Sequence, residues 1–295
     1  SGLAGVDRVY DGTTAAGLNL GAGQYAGLLA GDSLTLSAYS AEFASASAGL
    51  REVAVGSATL GGASAANYVL APAATFAVTP ATIARRTLTT VDGAVSANKT
   101  YDGTANASIS VTGITLGGIL AGDSVAAAEA TGSFANKFVG TGKTVSIDSL
   151  SLVGPASGNY QFVAGATVVG QIQADISART ISSVTGVKAL DKVYDGQTAA
   201  GLDFSEVGFV GLVPGDALAI VPTGYVAAFA SRNVGTHDVS ISGLAITGAD
   251  AANYVLDAAA SGGSARASIS PRSLVMAGVQ ALDKAYDGQT AAVVT

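Results

Sequence analysis

Val239-Ser240-Ile241-Ser242-Gly243-Leu244-Ala245-Ile246 alternates apolar and small polar residues and then loses its phase. Alternation with period two puts Val239 and Ile241 on one face of a strand and the serines on the other. The apolar positions fall at offsets 0, 2, 5 and 7. An odd step of this kind sends every later side chain to the opposite face unless an extra residue is absorbed. A β-bulge, or a strand that changes sheets, absorbs it. The same pattern stands at Val145, Ile147, Leu150 and Leu152, and at Val53, Val55, Ala58 and Leu60. The slip falls on the small pairs Gly56-Ser57, Asp148-Ser149 and Ser242-Gly243, so an irregularity is expected in all three strands.

Three copies of one strand imply a larger repeat. Tyr-Asp-Gly occurs at Tyr10-Asp11-Gly12, Tyr101-Asp102-Gly103, Tyr194-Asp195-Gly196 and again from Tyr286, at intervals of 91, 93 and 92 residues. A fixed period of this size marks a tandem array. Each copy also carries Gly-Asp (Asp32, Asp123, Asp216), a phenylalanine (Phe43, Phe134, Phe229) and Asn-Tyr (Asn67, Asn159 and Asn253 with the tyrosine after each). Each closes on a strand-like run with one recurrent arginine: Arg86, Arg179 or Arg272. The expected division is repeat 1 over 1–84 (incomplete at its N-terminal side), repeat 2 over 85–177, repeat 3 over 178–270, and the start of a fourth over 271–295. The chain reads as a window on a longer array.

Other short strands are expected over Ala217–Val221, Tyr254–Leu256 and Arg179–Val187. Glycine is spaced so as to break helices. Short strands separated by frequent turns indicate an all-β fold of tandem small sandwiches, Ig-like by preference, with β-grasp-like units as the alternative. No Gly/Ser- or Pro-rich linker separates the copies, which favours a stiff, elongated array.

Composition excludes several classes. Charged residues make up 12% of the chain and the net charge is −7. The fourteen Lys and Arg are scattered, which argues against a nucleic-acid partner. No apolar run is long enough to span a membrane. There is no Cys, which excludes disulfides and a thiol nucleophile. Frequent, alternating aliphatic residues argue against disorder.

The recurrent residues are read as structural. In Tyr-Asp-Gly the aspartate is expected to bond its own backbone two residues on, and the glycine to take positive φ. Calcium binding by Asp11, Asp102 or Asp195 with the Gly-Asp acid is the competing reading, but each motif has one acid where a calcium loop has several. The tyrosines Tyr10, Tyr101 and Tyr194 are expected to be largely buried, with their hydroxyls on backbone. Asn67, Asn159 and Asn253 are expected to hold turns. Arg86, Arg179 and Arg272 are expected to meet a carboxylate or carbonyl at the repeat junction, the Asp of the following Tyr-Asp-Gly being a candidate. A ligand-binding arginine and a solvated strand face are the other readings. A Lys–Asn isopeptide bond from Lys99, Lys192 or Lys284 conflicts with Arg8 at the same position of the first copy, since a guanidinium cannot form one. No catalytic set emerges: His237 is the only histidine and has no counterpart in the other copies. No cofactor or metal is expected.

Lys-x-Tyr-Asp-Gly-x-Thr, Gly-Asp, Val139-Gly140 or Val234-Gly235, and the run Ala249 to Leu256 together resemble the YDG-type repeats of very large bacterial surface exoproteins. Those are similar to filamentous-haemagglutinin-like adhesins and biofilm-matrix proteins. The resemblance covers nearly the whole chain; the first copy departs from it at Arg8 and at Ala48-Gly49. It implies an extracellular bacterial location and a stalk or fibre role, without catalysis. The expected partners are neighbouring repeats and, by lateral or end-to-end association, other copies of the chain, with any tip ligand outside this segment. The rival reading is a glycan-binding module, which the lack of Trp disfavours.

Overall fold

The computed structural model describes residues 2–21, 25–72, 76–163 and 170–295. The chain is all-β. Among the described residues the helical pieces are three-residue 3-10 turns at Ala65–Asn67, Ser157–Asn159 and Ala251–Asn253. The chain forms two compact units. One is Ser1–Thr100 with Thr104–Ser177; the other is Ala178–Thr295 with Tyr101–Gly103.

The first unit holds two repeats, of which residues 85–177 are the more complete. Their main sheet orders six strands: Val95–Ser96, Asn106–Ser110, Ala126–Phe134, Gly140–Val153, Ile172–Ser177 and Lys99–Thr100. Two small pairs accompany it. Thr90–Asp92 runs antiparallel to Thr115–Gly117, and Arg86–Thr87 runs parallel to Tyr160–Gln161. The opening strands Arg86–Thr87 and Thr90–Asp92 place Leu88 and Val91 in the core, 2% and 0% exposed. In residues 2–84 the long hairpin Thr35–Phe43 with Val53–Gly61 is retained, as is the sheet of Arg8–Val9, Ala81–Ala84 and Gly49–Arg51.

The second unit repeats the plan. Lys192–Val193, Gly263–Ser270, Gly235–Ser242 and Val226–Phe229 form a four-stranded sheet. Arg179–Ile181 runs parallel to Tyr254–Leu256. Its core gathers Leu202, Ile220, Phe229, Val239, Ile241, Leu244 and Ile269.

The phase slip is present in all three long strands. In the first, Ser57 pairs with Ser40 and Val55 with Ala41, so Gly56 is the extra residue. In the second, Ser149 pairs with Thr131 and Ile147 with Gly132, so Asp148 is extra. In the third, Gly235–Ser242 ends, Gly243 takes φ +73°, and Ile246–Thr247 pairs with a different strand, Ala219–Ile220. In the second and third copies the apolar residues on both sides of the slip turn inward: Val145, Ile147 and Leu150 are buried, as are Val239, Ile241 and Leu244, while in the first Val53 and Val55 are buried and Ala58 and Leu60 half-buried. The first two hairpins carry a second register shift, at Leu36/Ala38 and Ala127/Glu129.

The strand that leads into each Tyr-Asp-Gly lies beside the last strand of its repeat and parallel to it. Arg8–Val9 pairs with Ile83–Ala84, Lys99–Thr100 with Ile176–Ser177, and Lys192–Val193 with Ile269–Ser270. Each of these two-residue strands runs directly into Tyr-Asp-Gly, and so sets where the motif stands.

Candidate functional site

The motif begins as a turn. Gly12, Gly103, Gly196 and Gly288 take φ between +76° and +82°, a region that favours glycine. The aspartate accepts the backbone N–H two residues on: Thr13 to Asp11 at 2.9 Å, Gln197 to Asp195 at 2.9 Å and Gln289 to Asp287 at 3.0 Å. The turn reading is thus realised in geometry.

A cation three residues before the aspartate ties the turn down. Lys192 Nζ donates to Asp195, to the Gln197 carbonyl at 2.8 Å and to the Ala199 carbonyl at 2.9 Å. Lys99 Nζ donates to the carbonyls of Thr104 and Asn106, both at 2.9 Å. Arg8 does the same work through Asp11 at 2.6 Å and the Thr13 carbonyl. Each cation also lies over the recurrent phenylalanine: Arg8 is 5.1 Å from the Phe43 centroid, Lys99 5.7 Å from Phe134 and Lys192 5.4 Å from Phe229. A guanidinium and an ammonium can both fill this role, which explains why the first copy tolerates Arg8. The signal in the sequence was the cation two residues before each Tyr-Asp-Gly and the phenylalanine that recurs 35, 35 and 37 residues after that cation. The Lys192 and Lys284 hydrogen bonds hold Asp195 and Asp287 below the usual carboxylate range. At Asp11 burial acts upward, but bonds from Thr13 and the charge of Arg8 outweigh it and the net shift is downward.

The tyrosine has a role outside its own repeat. Tyr10 N–H closes the last rung of the parallel pair on the Ala84 carbonyl, 2.9 Å, so its ring stands beyond the sheet end. The ring is 5% exposed and meets the next repeat. Its hydroxyl donates to Asp123 at 3.0 Å, and its edge faces Tyr160 at 5.6 Å and 77°. Tyr160 donates to the same carboxylate at 2.5 Å and accepts the Leu120 N–H at 3.0 Å. Leu120 also packs under the motif glycine, 3.5 Å from where a Gly12 Cβ would stand. One carboxylate, two tyrosines and one loop amide therefore form a joint.

The second unit contains the same joint. Tyr101, 0% exposed, lies 5.5 Å and 76° from Tyr254. Tyr254 donates to Asp216 at 2.6 Å and accepts the Val213 N–H at 2.9 Å. A Cβ on Gly103 would stand 2.8 Å from Val213, so glycine is needed there for space as well as for φ. The Tyr101 hydroxyl is buried beside Asp216 without reaching hydrogen-bond geometry. Burial first, and the Asp216 carboxylate second, push the hydroxyls of Tyr101 and Tyr254 up to about 12. Burial and then Asp123 raise Tyr10 and Tyr160 in the same way.

Three expectations are corrected. The Tyr10 hydroxyl meets the Asp123 carboxylate rather than backbone, and the Tyr101 hydroxyl is buried beside Asp216 without a backbone partner. Tyr194 is half-buried: it packs on the core of residues 178–270, and the Gly-Asp and Asn-Tyr one period on would fall beyond residue 295. Of the two partners expected for Arg86 and Arg179, the Asp of the following Tyr-Asp-Gly is not met and a carbonyl is. Both arginines donate through Nε, to the carbonyls of Gly118 at 2.9 Å and Gly211 at 2.6 Å. Arg272 is exposed.

The asparagines end the 3-10 turns, their N–H groups bonding Ser64, Ala156 and Asp250 carbonyls at 3.1, 3.0 and 2.9 Å. Asn159 goes further and accepts the Ala48 N–H at 2.9 Å. That contact uses backbone, so Ala48-Gly49 serves where other copies have Val-Gly. His237 bonds the Asn233 carbonyl at 2.8 Å through Nε2. Among the described residues no three His, Cys, Asp or Glu side chains gather as a metal site.

Residues 1–75, 84–168 and 178–262 each match the family model of the YDG domain. The chain belongs to the YDG-domain family. No curated protein and no solved structure matches it. The three YDG matches begin close to the opening strands at Leu3, Arg86 and Arg179, and each contains one turn, one recurrent phenylalanine and one Asn-Tyr. The residues that give the YDG domain its name are thus the turn and the tyrosine of the joint.

Proposed function

We propose that these YDG repeats are a structural stalk or fibre segment of a large secreted bacterial surface protein, an adhesin or matrix component, serving reach and assembly without catalysis. The observation that carries this reading is the joint. Tyr10 with Asp123 and Tyr160, and Tyr101 with Asp216 and Tyr254, repeat one arrangement. The most recurrent polar and aromatic groups of the chain are thereby committed to holding structure. The resemblance to repeats of large bacterial exoproteins supports the extracellular setting.

Small-angle scattering tests the reading. Strands of five to eight residues give a unit roughly 30–45 Å long, so three in line extend on the order of 100 Å. A maximum dimension near that of a compact 28.6 kDa globule overturns it. A glycan array probed with the same chain is expected to give no hits.

A further inference from the structure

We infer that Asp92-Gly93 is a site of spontaneous isoaspartate formation, and that the Tyr-Asp-Gly turns, which carry the same dipeptide, are spared by the way they hold their aspartates.

An Asp-Gly pair is open to this reaction because glycine puts no side chain over its own nitrogen and turns freely. The chain has five such pairs: Asp11-Gly12, Asp92-Gly93, Asp102-Gly103, Asp195-Gly196 and Asp287-Gly288. Four belong to Tyr-Asp-Gly. Asp92-Gly93 does not, and one period on the chain has Thr185-Gly186 in its place. The motif aspartates therefore serve as an internal control on the dipeptide itself.

Access to water does not separate the sites, since Asp11, Asp92 and Asp195 are all exposed. The direction of the carboxylate does. Asp11 and Asp195 reach past the glycine and accept the N–H two residues on, of Thr13 and Gln197, both at 2.9 Å. A cation also holds each, Arg8 at 2.6 Å and Lys192 at 2.9 Å. The Lys192 bond keeps Asp195 ionised, below the usual carboxylate range, and so denies it the protonated oxygen that leaves most readily. Asp92 turns onto the adjacent amide instead. Its Oδ1 accepts the Gly93 N–H at 2.7 Å. The reacting nitrogen and the carboxyl group it attacks are thus in contact in the folded chain, an arrangement that raises intramolecular rates.

The step consumes nothing but water and returns it. The Gly93 nitrogen bonds to Asp92 Cγ. One carboxyl oxygen leaves as water, taking the amide proton and one proton from solvent, and a succinimide ring remains. Water then adds to either ring carbonyl. Addition at the side-chain carbonyl restores aspartate. Addition at the main-chain carbonyl leaves Gly93 linked through Cγ, with one more carbon in the backbone. That carbon has little room. Asp92 pairs with Thr115, Val91 beside it is 0% exposed, and a Cβ on Gly93 would stand 2.4 Å from the Gly113 carbonyl oxygen. Conversion therefore loosens the pair Thr90–Asp92 with Thr115–Gly117 and marks one repeat for ageing. The inference does not rest on the stalk reading.

Peptide mapping of the aged full chain is the test. Trypsin separates the sites: Asp92 falls on 87–99, Asp11 on 9–51 and Asp195 on 193–232. The chain is held in mildly acidic buffer below its melting transition, sampled over weeks, digested, and read by mass spectrometry with fragmentation that locates isoaspartate. Isoaspartate should form at Asp92 at least about tenfold faster than at Asp11 or Asp195. In strong denaturant the three rates should converge, because only sequence neighbours then act. Lys192→Ala should speed the reaction at Asp195 and leave Asp92 unchanged. Equal rates in the folded chain, no isoaspartate at Asp92, or a preference for Asp92 that persists in denaturant each overturn the inference. An Asp195 rate unmoved by Lys192→Ala overturns its second half.

Discussion

Tyr160 and Tyr68 do the same chemistry in different company. Each donates its hydroxyl to the Gly-Asp carboxylate and accepts the amide of the loop leucine. Around Tyr160 a second tyrosine and an opening strand complete the site, and its ring is 2% exposed. Tyr68 is half-buried, and the residues after it form no strand. The hydrogen bonds of this tyrosine are therefore made within its own repeat, while the burial of Tyr160 is supplied by Tyr10 and the strand Arg86–Thr87. Identity of motif does not ensure identity of environment; the neighbouring segment decides it.

The largest expected effect separates a buried motif tyrosine from an exposed one. Tyr101→Ala should cost about 3–5 kcal/mol, as for other buried aromatic truncations. Tyr286→Ala, at a 97% exposed site, should stay within about 0.5 kcal/mol. Denaturant melts of the two variants that coincide would break the comparison. Next comes the carboxylate. Asp123→Ala strands two tyrosine hydroxyls and should cost about 2–3 kcal/mol, whereas Asp32→Ala should cost clearly less by the same melts.

Alkaline titration sharpens the contrast further. Tyr101 and Tyr254 ionise near 12 when folded, against 10.0 for an unperturbed tyrosine. The folded state thus holds their protons more tightly. The associated stability is complete below pH 10 and is lost as pH rises toward 12. Stability followed from pH 9 to 12 should fall in that window, and fall less in Tyr101→Phe. A flat profile would refute the burial of these hydroxyls beside Asp216.

The smallest effect concerns the turn. Lys192→Arg should be nearly neutral, within about 0.5 kcal/mol, because Arg8 fills the same place. Lys192→Ala should cost about 1 kcal/mol through lost hydrogen bonds and the contact with Phe229. Thermal melts of the pair check it, and equal losses would show that the cation is not what holds the turn.

Much of this was legible in the residues. Alternation gave the strands, and the offset at Gly56, Asp148 and Gly243 located the irregularities, because side-chain phase is a local property. The Tyr-Asp-Gly turn was legible for the same reason: an Asp bond to its own backbone and a positive-φ glycine involve only neighbours. The joint was not. Tyr10 and Asp123 lie 113 residues apart, and the acid belongs to the next period, so aligning copies on one another conceals that the partners come from different copies. Arg86 was legible as a junction residue, but its choice of the Gly118 carbonyl over a carboxylate depends on the parallel pairing of Arg86–Thr87 with Tyr160–Gln161. Alternation carries no information about strand direction.

That direction has a mechanical meaning. Since the strand before each Tyr-Asp-Gly runs parallel and adjacent to the last strand of its repeat, as Lys99–Thr100 does beside Ile176–Ser177, a pull between these two strands, toward the N-terminal side on one and the C-terminal side on the other, drags them past each other lengthwise. Their hydrogen bonds are then loaded together instead of being opened one by one. Antiparallel neighbours pulled from their adjacent ends would unzip. A domain of modest size and no disulfide can in this way resist stretching more than its thermal stability alone would suggest, and single-molecule stretching of the chain would read that resistance as one sharp rupture peak per repeat.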